Sequence, residues 1–276
     1  MPSIAELDVP PSPRDDPLSY PGMVPPHSYL WADSWMYQLA WQPEIELCEW
    51  RLAVDGGPLG DCVQPADRLD DARRTPRGAQ VTQRYPVLAF GSNAAPAQLL
   101  DKFDWLAPRH RVVPVTVGQL DGFSLAHSAH VSNPGYLPYV LVHAGAGATL
   151  EVRVLWLDDT QLAALNETEP NYRLVPVNGE RYLLTLESGA TVPRYSAYRG
   201  SWGALRWPAE QLPAAARAQA AMHAELARCD WFADLLGRVG VSEQVELLRA
   251  DKALRDRVRD ELAARGMAVA DGWIAD

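Results

Sequence analysis

Short β-type runs separated by turn residues fill the middle of this chain and limit the folds it can adopt. Turn-prone sequences such as Asn133-Pro134-Gly135 and Asn178-Gly179 separate the runs. Many short strands with few long helices between them favour a barrel over a doubly wound parallel sheet. The predicted strands are Val87–Phe90, Val112–Val117, Tyr139–Val142, Leu150–Leu157, Arg181–Leu186 and Val192–Tyr198.

The residues before this centre have a different composition. Residues 1–26 contain eight prolines and little apolar periodicity, which predicts an extended or disordered lead-in. Residues 55–84 are rich in Gly, Asp, Pro and Arg and predict a long loop or linker. Between them lie large aromatic side chains that require burial, either against the main domain or at an interface with a partner. These are Tyr29, Trp31, Trp35, Tyr37, Trp41 and Trp50.

The pattern becomes helical beyond Pro208. Residues 209–236 are rich in Ala and Leu, and the helical pattern breaks near Gly237 and Gly240. A second helix or pair of helices is predicted from Ser242, as N-cap, to Arg265, with Gly266 as its stop.

Charge and composition narrow the classes of ligand and location. A net charge of −10 argues against nucleic-acid binding, which needs a basic surface to neutralise phosphates. No apolar run approaches the roughly 20 residues that span a bilayer, and the N-terminus does not resemble a signal peptide. We therefore expect a cytoplasmic protein that does not bind membranes. Cys48, Cys62 and Cys229 are scattered and odd in number, which is typical of reduced thiols.

The first candidate site is the turn Gly91-Ser92-Asn93 after an apolar run. Gly91 allows close approach of a ligand to the backbone, and Pro96 fits the first turn of a helix that follows. Free N–H groups beside a helix start form a nest for an anion. The alternative is a plain strand-to-helix turn in which Asn93 only caps the helix.

The second candidate is Glu169, at the end of a predicted short helix. Asp158 and Gln161 have the spacing of a capping box at the start of that helix, and Pro170 disfavours helical backbone at Glu169. The helix dipole does not stabilise the negative charge of a carboxylate at the C-terminal end of a helix. Such a carboxylate takes up a proton more readily, as a general base must. The alternative is that Glu167 and Glu169 are both exposed surface charges.

Together the two segments resemble the γ-glutamylcyclotransferase family, over residues 85–200. Members of that family show a Tyr-Gly-Ser-Asn turn after the first strand and later a short helix of the form Leu-x-x-Leu-Asp-x-x-Glu-Gly, followed by a Tyr. Here the turn reads Phe90-Gly91-Ser92-Asn93, and the later element runs from Leu162 through Glu169 and Pro170 to Tyr172. Two departures from the pattern are Phe90, which lacks the family's hydroxyl, and Pro170, which replaces a Gly.

The resemblance implies an α+β fold, a γ-glutamylcyclotransferase-like mixed β-barrel with short helices and a helical C-terminal extension. We accordingly predict a Pro-rich lead-in, aromatic segment and linker over residues 1–84. The barrel domain is predicted over residues 85–204 and the helical extension over residues 205–276.

The resemblance also implies a reaction and a set of site residues. A γ-glutamyl amine or amide would be converted to 5-oxoproline and a free amine, with Glu169 as general acid and base. Because the nucleophile belongs to the small-molecule substrate, no metal, cofactor or catalytic Ser or Cys is needed. The expected substrate-binding residues are Phe90, Gly91, Ser92, Asn93, Ser128, Tyr172 and Tyr198.

Other interpretations remain open at this stage. His127 and His130 suggest a metal pair or, with Ser128, a nucleophile, but a strand would point the two histidines to opposite faces. The fold also allows a different acyl transfer or amide cleavage. A third interpretation is a non-catalytic domain that binds a small carboxylate or, through the aromatic segment, a protein. A homodimer is one assembly that the terminal segments allow.

Overall fold

The computed structural model describes residues 10–32, 35–40, 51–52 and 84–274, which form a mixed α+β structure. The strands are β1 Tyr29–Ala32, β2 Trp35–Ala40, β3 Arg51–Leu52, β4 Tyr85–Ala89, β5 Val112–Asp121, β6 Phe123–His127, β7 Tyr139–His143, β8 Thr149–Leu157, β9 Tyr172–Asn178, β10 Leu184–Leu186, β11 Arg194–Gly200, β12 Ala204–Leu205 and β13 Ala268–Val269. The helices are α1 Pro96–Phe103, α2 Asp159–Glu167, α3 Gln219–Leu226, α4 Asp230–Leu236, α5 Val241–Ala250 and α6 Lys252–Ala264. Short 3₁₀ turns cover Pro17–Ser19, Ser92–Ala94 and Pro108–His110.

The main sheet is open, so the prediction of a closed barrel is wrong for the described strands. Its order is β3-β2-β1-β5-β8-β4-β11-β9, with β10 also paired to β5. In this order only β4 and β11 run parallel to each other. The long strand β5 pairs with β8 along one edge. Along its other edge, the first half of β5 pairs with β1 and the second half pairs with β10. The sheet therefore continues outward through β1 and β2 instead of closing on β9.

All six predicted strands overlap observed ones, namely β4, β5, β7, β8, β10 and β11. The strand β9 was not predicted, because Pro176 has no N–H for a sheet ladder and demotes a strand pattern. In the structure Pro176 pairs only with Ser196 of β11, and β9 is an edge strand. An edge strand tolerates proline because one side of its backbone needs no ladder partner.

The described part of the aromatic segment packs within the chain. Tyr29 and Trp31 are fully buried in a core cluster with residues of β5 and α1, and the Trp31 ring lies 5.9 Å from that of Phe103. Burial of such large rings dominates core energetics, so β1 belongs to the main sheet for a physical reason. Trp41 and Trp50, Cys48 and Cys62, and the predicted linker up to residue 83 lie outside the described residues.

The lead-in is ordered over residues 10–26, contrary to the prediction of an extended or disordered segment. Ser12 and Tyr20 are buried. The Ser12 hydroxyl donates to the Asp101 carboxylate at 2.5 Å, and the Arg153 guanidinium donates to the Pro25 carbonyl at 2.6 and 3.1 Å. The segment is held by polar contacts and one aromatic ring, and such contacts leave no apolar periodicity in the sequence. The sequence pattern therefore does not indicate that these residues are ordered. Residues 1–9 lie outside the described part.

Four helices, α3 to α6, pack around a separate apolar cluster in the C-terminal part. The predicted helix or pair of helices is a pair, α5 and α6. The N-cap of α5 is Gly240, so the prediction of Ser242 as N-cap is wrong. Asp251 interrupts them with extended backbone, and its carboxylate accepts a hydrogen bond from the Leu254 N–H to start α6. Gly266, with a φ of 66°, follows the helical stretch as predicted. The proposed domain boundaries remain a prediction. None of the described helices is long and apolar enough to cross a membrane.

Candidate active site

The turn after β4 places backbone N–H groups at the surface of a cavity. The chain passes from Ala89 through Gly91 into the 3₁₀ turn at Ser92 and then into α1, with Pro96 in its first turn. A β-carbon at position 91 would collide with the Tyr20 hydroxyl, so Gly91 is required by close approach and not by its φ of −133°. Within the described residues, the N–H groups of Ser92 and Asn93 donate to no protein acceptor.

Asn93 connects this turn to Glu169 and is not a helix cap. The N-cap of α1 is Ala95, which makes no side-chain cap. The Asn93 side-chain amide donates to Glu169 Oε1 at 3.0 Å, and its Oδ1 accepts from Lys102 Nζ at 2.7 Å. The alternative of a simple capping role is therefore wrong, because both ends of the Asn93 side chain bond to charged groups.

Glu169 lies just beyond α2, where the sequence predicted it. The capping box between Asp158 and Gln161 starts the helix as expected, and the helix ends at Glu167. Glu167 is exposed, whereas the Glu169 side chain is only 15% exposed. Glu169 Oε1 accepts hydrogen bonds from both Asn93 and Lys102, the latter at 2.6 Å. Its Oε2 accepts none within the described part of the chain, and Glu169 lines a cavity.

Lys102 is the charged partner that sequence reasoning missed. It lies on α1 with its side chain only 8% exposed and donates to both Glu169 and Asn93. A lysine is almost never buried unless it is paired, so its burial identifies it as part of the site. In the sequence it stands between Asp101 and Phe103 and resembles an ordinary surface lysine. No spacing rule links it to Glu169, which follows 67 residues later.

These groups line one cavity of about 380 Å³, a size suited to a small molecule. Of the predicted site residues, Phe90, Gly91, Ser92, Asn93, Glu169, Tyr172 and Tyr198 all line it. Ser128 does not line it, because that side chain is fully buried behind His130. The lining also includes His130, which the sequence analysis considered as a metal ligand or as part of a nucleophile. It further includes residues that were not predicted for the site, namely Arg14, Asp101, Lys102, Tyr20, Tyr136 and Tyr139.

Tyrosines form much of the wall, and two of them use their hydroxyls to hold it in place. Tyr172 donates to the Tyr139 carbonyl at 2.8 Å, and Tyr198 donates to Asn166 Oδ1 at 2.7 Å. Burial, with the charge of Glu169 adding to it, raises the pKa of Tyr136 to about 12 and the pKa of Tyr172 well above its ordinary value. These hydroxyls therefore stay protonated at neutral pH.

His127 uses both ring nitrogens for hydrogen bonds within the described residues, whereas His130 uses only one. His127 Nδ1–H donates to the Leu137 carbonyl at 3.0 Å, and its Nε2 accepts from the Arg217 N–H, so both ring nitrogens are occupied. Burial lowers the pKa of His127 to about 4 and that of His130 to about 3. His130 Nδ1 lies 2.6 Å from the Ser128 hydroxyl. In the described ranges no group of three or more His, Cys, Asp or Glu residues is arranged to hold a metal ion.

No protein-family model matches the sequence, and no curated protein matches it. Some solved structures share part of the fold. A protein of Arabidopsis thaliana with a known solution structure is 20% identical, with a TM-score of 0.33 over 43% of this chain and 70% of that chain. A gamma-glutamyl cyclotransferase is 16% identical, with a TM-score of 0.33 over 43% and 68%. A second Arabidopsis thaliana protein is 19% identical, with a TM-score of 0.30 over 43% and 62%.

One of these structures is thus a member of the family that the two motifs resemble. A likeness this remote assigns no function to the present chain. The function must therefore be judged on the geometry of the cavity.

Proposed function

We propose that this chain is a cofactor-independent enzyme that cyclises a γ-glutamyl amine or amide to 5-oxoproline and releases the free amine. The observation that carries the proposal is the state of Glu169. One of its carboxylate oxygens is held by Asn93 and Lys102, and the other accepts no hydrogen bond among the described residues. Glu169 lines the same cavity as Ser92 and Asn93, whose backbone N–H groups donate to no acceptor there.

The turn supplies the binding half of this proposal. Backbone N–H groups that converge beside a helix start are suited to a carboxylate, and they need no basic surface in an acidic protein. The N–H groups of Ser92 and Asn93, with Gly91 allowing close approach, would hold the α-carboxylate of the glutamyl group. This contact would place the α-ammonium group next to Glu169, because Asn93 belongs to the turn and contacts that carboxylate directly.

Glu169 supplies the proton-transfer half. Its Oε2 takes one proton from the α-ammonium group, and the resulting amine attacks the γ-carbonyl carbon to form the lactam C–N bond. The tetrahedral intermediate then breaks its bond to the original amide nitrogen. Glu169 returns the proton to that nitrogen and then passes the second proton of the ring nitrogen to the departing amine, so the amine leaves as an ammonium ion, the lactam is neutral and the carboxylate is regenerated. A general acid and base positioned in this way typically contributes about 10²–10⁴-fold in rate.

The cavity contributes by shaping the substrate. An extended γ-glutamyl chain must fold back on itself before its amine reaches its own carbonyl. A wall of tyrosines around Glu169 favours that compact conformer, and correct orientation is worth up to about 7–11 kcal/mol of the activation free energy. The side chains of Tyr172 and Tyr198 would serve this purpose through their rings, since their O–H groups donate to other protein groups.

The direct test is release of 5-oxoproline, measured by mass spectrometry, from a panel of γ-glutamyl amino acids and γ-glutamyl amines. The unaltered protein should release it from at least one member of the panel. Glu169→Gln should lose at least about 10²-fold in kcat, because an amide accepts no proton at neutral pH.

Glu180→Gln is the matched control, since it removes the same charge from an exposed side chain that does not line the cavity. It should keep nearly full activity. Full activity in Glu169→Gln would refute the proposed role of that residue. Stabilisation by a γ-glutamyl compound with no turnover would instead indicate a domain that only binds small carboxylates.

A further inference from the structure

The N-terminal segment brings one hydroxyl group into the cavity from outside the two predicted motifs. Tyr20 is only 6% exposed, and its ring stacks on Tyr136 with centroids 4.3 Å apart and an interplanar angle of 24°. It also meets Tyr139 edge-on at 4.9 Å. Two ring contacts fix the position of the phenol, so its hydroxyl is held in place before any ligand binds.

The hydrogen bonding of this hydroxyl is incomplete. Its oxygen accepts the backbone N–H of Tyr139 at 2.9 Å. Within the described residues, its own O–H donates to no protein acceptor. A buried hydroxyl without an acceptor is costly, and native proteins rarely keep one without a reason. The neighbouring tyrosines differ, because the O–H groups of Tyr139, Tyr172 and Tyr198 donate to protein oxygens.

The Tyr20 hydroxyl lies next to Gly91, and Tyr20 lines the cavity. It lies so close to Gly91 that any side chain there would collide with it, and it lines the same cavity as Glu169. Burial is the main cause that raises the pKa of Tyr20 well above its ordinary value, and the Glu169 charge adds to it. At neutral pH the group is therefore a protonated donor and not a phenolate.

We propose that the Tyr20 hydroxyl donates a hydrogen bond to the reacting carbonyl oxygen of a ligand whose carboxylate is bound at Ser92 and Asn93. This inference rests on the proposed function and adds to it a group that stabilises the oxyanion. The Tyr139 N–H donates to a lone pair of the phenol oxygen. Because hydrogen bonds in a chain strengthen one another, this contact makes the Tyr20 O–H a stronger donor. A donor fixed in advance at the position where negative charge develops is often the largest contribution of a site to catalysis.

The test compares Tyr20→Phe, which keeps the ring contacts, with Tyr195→Phe. Tyr195 is a matched control because its buried hydroxyl donates to the Tyr182 carbonyl at 2.8 Å and Tyr195 does not line the cavity. On a γ-glutamyl substrate that the unaltered protein turns over, Tyr20→Phe should lower kcat by about 10²-fold. It should change KM by less than about threefold, and Tyr195→Phe should change neither.

A second measurement does not depend on turnover. 5-Oxoproline carries both a carboxylate and a lactam carbonyl, so isothermal titration calorimetry with this compound probes the same hydrogen bond. Its affinity should fall roughly 2- to 10-fold in Tyr20→Phe and stay unchanged in Tyr195→Phe.

The outcomes separate this inference from the proposed function. Turnover and 5-oxoproline binding that persist unchanged in Tyr20→Phe would overturn the role of Tyr20 and leave the proposed function standing. Equal losses in Tyr20→Phe and Tyr195→Phe would also overturn it, since they would reflect only weaker folding. Binding weakened by Tyr20→Phe in a protein without turnover would support the hydrogen bond while the proposed function fails. Neither turnover nor binding in the unaltered protein would overturn both.

Discussion

The contact between Lys102 and Glu169 gives the most quantitative prediction. The two charged groups lie 2.6 Å apart with side chains 8% and 15% exposed. Replacing Lys102 with Met removes the cation and keeps a side chain of similar length. Glu169 then stays mostly buried with Asn93 as its remaining donor.

The expected magnitude follows from opposing contributions. At an effective dielectric constant of about 20, charges at this distance attract each other by roughly 6 kcal/mol. Desolvation of both ions offsets much of that attraction, and removal of one partner from a buried pair typically costs about 3–5 kcal/mol. The remaining Asn93 bond and the partial exposure of Glu169 place Lys102→Met near the lower limit. We expect its free energy of unfolding to fall by about 3 kcal/mol, or its Tm by roughly 6–12 °C.

Chemical denaturation of a double-mutant cycle is the assay. Glu169→Gln alone should cost about 2 kcal/mol, because the lysine keeps Asn93 as a partner. The double variant has no buried charge left at this pair, so its cost should be about 2 kcal/mol smaller than the sum of the single costs. The control is Lys252→Met, which breaks an ion pair of the same length whose lysine is 78% exposed, and it should change nothing measurable. Additive costs, or a Lys102→Met protein as stable as Lys252→Met, would refute the reasoning.

Two further predictions concern other contacts. Gly91→Ala should lower the free energy of unfolding by about 1–3 kcal/mol, and by clearly less in a Tyr20→Phe background, since the new methyl group collides with the Tyr20 hydroxyl. Equal costs in both backgrounds, measured by denaturation, would contradict this contact. His127 has a pKa of about 4 in the fold, below its ordinary 6.5. The unfolded chain therefore binds the extra proton, and the stability that is fully present above pH 6.5 is lost as pH falls toward 4, at up to about 1.4 kcal/mol per unit. Denaturation at several pH values should show a shallower slope for His127→Gln, and an unchanged slope would contradict the buried neutral histidine.

The parts of the fold and site that the sequence predicts are those with local causes. The strand runs, the capping box at Asp158 and the glycine turn at Gly91 each depend on residues within a few positions of one another. The position of Glu169 beyond the helix end follows from Pro170 in the same way. These signals need no knowledge of the remaining chain.

The parts that could not be predicted depend on contacts between distant residues. Tyr20 meets Tyr139 across 119 residues, and Lys102 meets Glu169 across 67. Pairing of β1 with β5 likewise decides whether the sheet closes, and neither strand carries a local sign of that choice. Ser128 shows another limit. The family resemblance implied that it binds the substrate, but packing buries its side chain against His130.

The anchoring of the N-terminal segment also has a consequence for biosynthesis. Ser12 bonds to Asp101, 89 residues later, and Pro25 accepts hydrogen bonds from Arg153, 128 residues later. At ribosomal rates of about 5–20 residues per second, Pro25 would wait about 6–26 s for its partner to be made. The N-terminal wall of the cavity is thus synthesised first but is among the last parts to reach its folded position. A nascent chain should expose this segment to proteases and chaperones throughout that interval, and ribosome-bound chains stalled before Arg153 should have no finished cavity.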